Sequence, residues 1–215
     1  MENFAKKLAI NQTITEYSNK NSFPLRFLNA DFETIQRAYD ILSESVKKNV
    51  PIPPSGEWLL DNFYIIEEQV SALRNSLNLE KYEKLPSVSG VARVYSISRR
   101  LVGYTDGAIT KENIETFINA YQSKRIMSVE EIYELPTMLQ IALIESIKNV
   151  SEKIITGQLQ KFKVESLVER IIKNKDQSSQ RFHKYKNINL NNEAASYVEY
   201  LIYLLKKMGK KGKPY

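Results

Sequence analysis

The sequence predicts an all-α fold, an antiparallel multi-helix bundle of about seven to nine helices with no sheet. Apolar residues recur with helical spacing along nearly the whole chain, and no segment alternates convincingly with the period of two that marks a strand. The connections between the segments are short, which favours antiparallel neighbours. With 215 residues and 42% apolar content, the chain is long enough to bury a sizeable core.

The first three predicted helices span residues 2–18, 31–48 and 55–77. We expect Asp31 to cap the second helix and Ser55 the third, because these side chains can accept hydrogen bonds from free backbone N–H groups. The run NVPIPPS separates the second predicted helix from the third. It contains three prolines and therefore forbids a regular helix. Apolar residues follow two lines along the third helix, so we expect neighbours to cover it on more than one side.

A connector over residues 78–90 is expected to hold at most a short turn of helix. The next predicted helix spans residues 91–104. The Asp-Gly pair of TDGAIT then indicates a turn, and Thr110 caps the helix that follows.

Ser128 and Glu131 match a capping box, in which the two side chains satisfy each other's free backbone N–H groups. This box opens a long helical segment that reaches about Ile155. Pro136 lies too far inside the segment to be a first-turn proline, so we expect a break or kink near Leu135.

The helical pattern weakens after Gly157. We expect one helix over residues 164–172 and a last helix that Asn191 or Asn192 caps and that ends near Gly209. The chain is therefore divided into a helical module, 1–158, and a truncated C-terminal helical extension with a basic tail, 159–215.

The formal net charge of +6 comes mainly from the C-terminal tail, in which five lysines occur without an acid. The remainder is close to neutral, and a nucleic-acid-binding domain usually has a basic face of its own. We therefore do not expect nucleic acid to be a partner. Cysteine is absent, which excludes disulfides and thiolate metal sites and fits the cytosol. No charged-then-apolar signal-peptide pattern is visible at the start of the sequence, and no apolar run approaches the roughly 20 residues that a transmembrane helix needs.

No catalytic, cofactor-binding or metal-binding residue can be assigned from the sequence. His183 is the single histidine and lies in a polar stretch, so neither a zinc site nor a Ser/His/Asp set is indicated. No glycine-rich phosphate loop occurs. Several tyrosines fit core positions with the hydroxyl at the surface better than a sugar-stacking platform, namely Tyr82, Tyr95, Tyr104, Tyr121 and Tyr133.

The helix over 55–77 combines large apolar residues with carboxylates. A pair of carboxylates can act as acid and base in glycoside hydrolysis, but such pairs usually face each other across a cleft from separate elements. We expect a structural polar network instead, because a partly buried carboxylate needs a cation. The network would join Glu57, Asp61 and Glu68 to Arg93, Arg99 and Arg100 of the next long helix. The same helix is expected to place Trp58, Phe63 and Ile66 in the main core.

Several blocks, in order, resemble a known family. The blocks are SGEWLLDNFYIIEEQV, EKYEKLP, ARVYSISRRLVGYTDGAI and FINAYQSKRIMSVEEIYELPTMLQIALIESI. Together they are similar to the N-terminal region of cyclic β-1,2-glucan synthases over roughly residues 30–155. This chain differs in a shorter link around PSVSGVARVY and in Tyr104, where the family often has histidine. We do not interpret either block as a catalytic motif, so the differences do not weaken the resemblance.

The resemblance implies a large, membrane-bound parent with a glycosyltransferase module that uses UDP-glucose. It also implies a phosphorylase-like module and glucan made on a protein-attached primer. The chain contains neither Asp-x-Asp nor Gln-x-x-Arg-Trp, the transferase motifs that the resemblance implies for the parent. We therefore interpret the chain as an excised piece of such a parent, at the cytoplasmic side of the plasma membrane.

Three functions follow as alternatives. The leading one is a non-catalytic scaffold or docking module, without a cofactor, whose partner is the remainder of the parent synthase. A second is a module that binds β-1,2-glucan or carries it as a protein-linked primer, for which no single tyrosine can be chosen. The third is a free-standing nucleic-acid- or membrane-binding protein that acts through the lysine-rich tail.

Overall fold

A computed structural model describes residues 1–173 and 194–207. Eight α-helices dominate this part of the chain, so the predicted helical class is confirmed in its main feature. The helices are α1 (Glu2–Asn11), α2 (Leu25–Lys47), α3 (Pro54–Ser76), α4 (Leu79–Glu83), α5 (Arg93–Tyr104), α6 (Lys111–Gln122), α7 (Val129–Lys173) and α8 (Ala194–Lys207). A short 3₁₀ helix spans Lys20–Ser22.

The prediction that the fold has no sheet is wrong, because a small three-stranded antiparallel sheet is present. Its strands are β1 (Ile14–Thr15), β2 (Ser87–Val88) and β3 (Val91–Ala92), in the order β1-β2-β3. Ser89 and Gly90 connect β2 to β3 with φ angles of 53° and 81°. Positive φ at both positions is what a two-residue type I′ hairpin turn requires. Each strand has only two residues, too few to show a period of two in the sequence.

Helix α1 ends at Asn11 instead of continuing to residue 18, and the chain then turns into β1. This N-terminal segment packs on distant parts of the chain. Phe4 stacks on Tyr104 with 5.1 Å between the ring centroids. The Tyr121 hydroxyl donates to Gln12 Oε1 at 2.6 Å, and Arg125 Nη1 donates to the Gln12 carbonyl oxygen at 2.8 Å. Helix α1 is thereby fixed against α6 and the loop after it.

Two predicted helix caps are wrong. Helix α2 begins at Leu25, just after Pro24, so Asp31 lies in its second turn. Helix α3 begins at Pro54, and no side chain caps it. Proline suits a helix start because its missing N–H would be unpaired there in any case. Pro54, one of the prolines that break the chain between α2 and α3, is thus also the first residue of α3, one residue before Ser55. Thr110, in contrast, accepts a hydrogen bond from Asn113 N at 3.1 Å, and its predicted cap is confirmed.

Helix α7 is continuous over 45 residues and forms the centre of the fold. The capping box at its start is confirmed, since Ser128 N donates to Glu131 Oε2 at 2.8 Å and Glu131 N to Ser128 Oγ at 3.3 Å. Of the break or kink predicted near Leu135, the break is wrong, since α7 runs through Pro136 without interruption. The helix expected over 164–172 is the end of α7. Helices α2, α3, α5 and α8 all pack on α7. Tertiary packing of this kind supplies most of the stability of a helix and can offset the cost of an internal proline.

The core consists of a large cluster and a small one. The large cluster joins α1 to α7, and its fully buried residues include Tyr82, Phe117 and Tyr121. The small cluster contains Val50, Val164, Val168 and Tyr200, where α8 packs on the second half of α7. Residue 158, the expected division of the chain, lies within α7. The caps expected at Asn191 and Asn192 and the end near Gly209 fall outside the described residues.

Candidate functional site

The predicted pairing between the carboxylates of α3 and the arginines of α5 is wrong. Glu57, Asp61 and Glu68 are exposed, and none of them forms an ion pair within residues 1–173 and 194–207. The reason is the packing order, since α3 packs on α2 and α7 while α5 packs on a different side of α7. Proximity in sequence suggested the wrong neighbour.

The three core residues expected on α3 have different environments. Ile66 is buried, and Phe63 is partly buried with its ring stacked on Tyr39 at 4.2 Å between centroids. Trp58 is 51% exposed, so its expected place in the core is wrong. The core covers the line of α3 through Leu59 and Ile66, whereas the second apolar line lies at the surface.

Arg93 forms a buried ion pair with Glu131. The side chains are 5% and 0% exposed. Arg93 Nε donates to Glu131 Oε1 at 2.7 Å, Nη2 donates to Oε2, and Nη2 also donates to the Ile126 carbonyl oxygen at 3.2 Å. Burial alone would lower the pKa of Arg93, but the hydrogen bonds and the charge of Glu131 raise it. The pair therefore joins the first turn of α5 to the first turn of α7.

A sign of this pair is present in the sequence. Arg93 lies one helical turn before Ile97 and two turns before Leu101. It therefore belongs to the apolar stripe of α5 that faces the core. A cation on such a stripe needs a buried acid. Glu131 was assigned only to the capping box, although its carboxylate can do both.

A polar cleft of about 510 Å³ lies where α2, α5 and α7 meet the β2–β3 turn. Arg99 Nη2 donates to Glu145 Oε1 at 2.6 Å, and the Tyr95 hydroxyl donates to Glu145 Oε2 at 3.2 Å. The guanidinium of Arg99 lies over the Tyr95 ring at 5.8 Å. The cleft is also lined by Asn19, Asn21, Ser22, Phe27, Asp31, Ser89, Gly90, Val91 and Lys148.

Asp31 is a carboxylate of this cleft whose oxygens lack hydrogen-bond donors among the described residues. Its carboxylate is half-buried and makes no hydrogen bond or ion pair to any other described residue. Burial raises the pKa of Asp31, Lys148 and Arg99 oppose the rise, and Glu145 and Glu152 add to it. Burial and Glu145 also raise the pKa of the Tyr95 hydroxyl, which therefore stays protonated as a donor. The cleft offers donors and acceptors of both charges.

A second cleft of about 350 Å³ lies on the other side of the Arg99–Glu145 pair. Arg100, Ser146 and Asn149 contribute to it. Arg99 and Arg100, which were predicted to neutralise α3, thus line polar clefts between α5 and α7. Within the residues that the structure describes, no cluster of three or more histidine or acidic side chains is placed to hold a metal ion.

An apolar groove of about 180 Å³ separates α3 from α7. Its outer wall is formed by the exposed side chains of Trp58 and Ile65, the latter 41% exposed. Gln69 and Gln140 meet across the groove at 3.4 Å. The remaining lining residues are Asn62, Ile66, Leu143, Ile144 and Ile147.

The tyrosines differ from their predicted pattern. Tyr82, Tyr95 and Tyr121 are buried and their hydroxyls bond inside the protein, whereas Tyr104 and Tyr133 are exposed. Tyr82, for example, donates to the Ser22 carbonyl oxygen at 2.9 Å. His183 and residues 208–215 of the basic tail lie outside the described part of the chain.

The described residues thus form a helical module that carries polar clefts and an apolar groove. No family model matches the chain. The chain is similar to a cyclic beta-(1,2)-glucan synthase, NdvB, of Rhizobium meliloti (strain 1021). The two sequences are 27% identical over 146 residues, which is 66% of this chain and 5% of the synthase. The resemblance expected from the sequence blocks is therefore confirmed. None of the described helices combines the length and apolarity that crossing a membrane requires.

Proposed function

We propose that this chain is a non-catalytic helical module of a glycosyltransferase that makes cyclic β-1,2-glucan from UDP-glucose. The module docks on the transferase and membrane parts of the protein, at the cytoplasmic face of the plasma membrane. The observation that carries the proposal is the similarity to the synthase over 146 residues. The resembling blocks contain α3 and α5 and run into α7, the helices that form the clefts and the groove.

The test has a biochemical arm and a cellular arm. Purified chain should turn over neither UDP-glucose nor β-1,2-glucan. In membranes, deletion of this module from the synthase that contains it should abolish both assembly and glucan synthesis, and the separately expressed module should restore them. The non-catalytic role would be overturned if the purified chain turned over UDP-glucose or β-1,2-glucan and if Asp31→Asn or Glu57→Gln abolished that turnover.

A second candidate, the binding of glucan chains, is supported by the polar cleft. Its volume of about 510 Å³ suits a small ligand, and pockets fix such ligands with a few placed polar groups. The opposite charges of Asp31, Glu145, Arg99 and Lys148 balance, which favours a neutral ligand with many hydroxyls. The exposed Phe27 ring supplies an apolar surface at the edge.

Calorimetric titration with linear β-1,2-linked glucose oligomers tests this candidate. Binding should be lost in Asp31→Ala, because Asp31 is the free acceptor of the cleft. Asp40→Ala removes an exposed carboxylate from the same helix and is the matched control. Equal affinity of both variants, or no heat with the unaltered chain, would exclude the cleft as the glucan site.

A further inference from the structure

Helix α3 presents an acidic line beside the apolar groove. Glu57 precedes Trp58, Asp61 precedes Asn62, and Glu68 precedes Gln69, so each acid lies about 100° around the helix from a groove residue. The second member of each pair lines the groove, and the first is exposed. The acids therefore follow the groove along its solvent side.

The charge of α3 differs from that of the whole chain. Residues 54–73 contain four acids and neither lysine nor arginine, whereas the chain carries a formal net charge of +6. Arg74, in the last turn of α3, is the basic residue of this helix, and it donates to Asn29 on α2. None of the acids on the line has an ion pair in the part of the chain that the structure describes. Acids with a structural task on this protein are paired, as Glu131 and Glu145 are. The acidic line is left available to a partner.

The groove itself has the features of a docking site for a helix. It lies between two long helices, α3 and α7, and its lining is almost entirely apolar. Trp58 and Ile65 stand exposed one above the other on α3, seven residues or about two turns apart. Helices dock into such grooves with apolar anchors spaced by three, four and seven residues.

We propose that the α3–α7 groove binds an amphipathic helix with a basic edge. The apolar face of that helix fills the groove against Trp58, Ile65 and Ile147, and its lysines or arginines face Glu57, Asp61 and Glu68. The charge complementarity selects this partner, because the acids repel anionic lipid surfaces and nucleic acid. The inference rests on the proposed docking function and specifies the chemistry of the docked segment.

Trp58 is the single tryptophan of the chain and provides the readout. A tryptophan-free helical peptide of about 18 residues, with leucines spaced i, i+3, i+4 and i+7 and lysines at the edges, is titrated into the full chain. The matched peptide has glutamate in place of lysine. We expect the emission of Trp58 to shift to shorter wavelength with the basic peptide alone, since binding removes the indole from water.

Charge variants that retain Trp58 test the electrostatic part. Glu57→Gln/Asp61→Asn/Glu68→Gln should weaken binding by about tenfold or more at low salt. Added salt should reduce the affinity of the unaltered chain, since exposed charges are screened. Glu2→Gln/Glu16→Gln/Glu115→Gln removes three exposed acids elsewhere and should leave affinity unchanged. Ile65→Asn, at an exposed position, should abolish the shift with the fold intact by circular dichroism.

Three results would overturn the inference. These are no shift with the basic peptide, equal binding of both peptides, and equal affinity of the two triple variants. Self-association of the chain is a further outcome that would overturn the inference, and sedimentation detects it. If Lys206→Glu/Lys207→Glu abolished that self-association, the groove would be assigned to a second copy of the chain. The proposed function fails separately, if deleting the module leaves the synthase assembled. If the peptides fail while that deletion still prevents assembly, the module docks through another surface.

Discussion

At the scale of single residues, the Arg93–Glu131 pair is an interaction whose disruption should cost the protein much of its stability. Both side chains are buried, and Glu131 also caps α7. Arg93→Ala leaves the carboxylate inside the protein without its cation, which should lower the free energy of unfolding by about 3–5 kcal/mol. Arg99→Ala, which breaks a pair with a half-exposed arginine, should change it by about 0–1 kcal/mol. Denaturant unfolding followed by circular dichroism measures both, and a loss under about 0.5 kcal/mol for Arg93→Ala would contradict the assignment.

Asp31 gives the protein a pH dependence of the opposite sign from that of most carboxylates. Burial raises its pKa in the folded protein above the ordinary 3.8, so the folded state binds the proton more tightly than the unfolded state does. Its contribution to stability therefore falls as pH rises through the window above 3.8. Asp31→Asn should be more stable than the unaltered chain at neutral pH, and the difference should vanish below that window. Unfolding curves from pH 3 to pH 7 check this, with Asp40→Asn as control; equal pH dependence of the unaltered chain and Asp31→Asn would refute it.

The charged residues also show where sequence reasoning reaches its limit. The capping box at Ser128 could be predicted because both partners lie three residues apart in one helix. The partner of Arg93 could not be found by sequence distance, since Glu131 lies 38 residues away. Trp58 was misplaced because periodicity identifies apolar lines on a helix without telling which line a neighbour covers.

At the scale of elements, the start of α3 depends on a close approach to α2. A Cβ added at Gly56 would lie 2.6 Å from Leu42 Cδ2 and 3.2 Å from Pro53 Cδ. Leu42 is fully buried, so it cannot move aside freely. Gly56→Ala should therefore destabilise the protein by about 1–3 kcal/mol. Gly157→Ala on α7 meets no atom within 4 Å and should stabilise it by about 0.5–1 kcal/mol. Thermal unfolding distinguishes the two, and the same sign of effect for both would contradict the packing argument.

Helix α7 tolerates Pro136 only because its neighbours hold it. Proline removes one backbone hydrogen bond and crowds the carbonyl four residues before it. Pro136 is exposed, so Pro136→Ala should create no cavity and should stabilise the protein by up to about 3 kcal/mol. Pro54→Ala at the first position of α3 is the control and should bring little change. The denaturant midpoints of the two variants measure this difference. Equal midpoints for Pro136→Ala and Pro54→Ala would show that Pro136 imposes no strain on α7.

Element types were largely predictable, whereas small and long-range features were not. The helix predicted over residues 91–104 and the helix predicted after Thr110 followed from their apolar stripes, although the first begins at Arg93 because Val91 and Ala92 form β3. The strands did not, since a two-residue strand such as Ser87–Val88 is defined by its pairing with Ile14 and Thr15, 72 to 74 residues away. Pro136 suggested a break because local sequence does not reveal the packing that keeps α7 helical.

At the scale of the whole molecule, the two core clusters differ in size and should differ in stability. Among the residues that the structure describes, the small cluster has the buried members Val50, Val164, Val168 and Tyr200, far fewer than the large cluster has. Segments with few buried contacts open at lower free energy than the rest. Native-state hydrogen exchange should therefore show less protection for residues 160–170 than for residues 94–102 of α5, although both are helical. Equal protection would mean that the chain unfolds as one cooperative unit.

The packing of α1 on α6 also bears on how the protein is made. The N-terminal residues find their partners, Tyr104, Tyr121 and Arg125, more than 100 positions later in the chain. A ribosome adds roughly 5–20 residues per second, so these partners are synthesised roughly 5–20 s after the N-terminus. During that interval the apolar side of α1, including Phe4 and Leu8, has no place to bind on its own chain. Helix α1 therefore waits for its partners during translation with its apolar side unpacked.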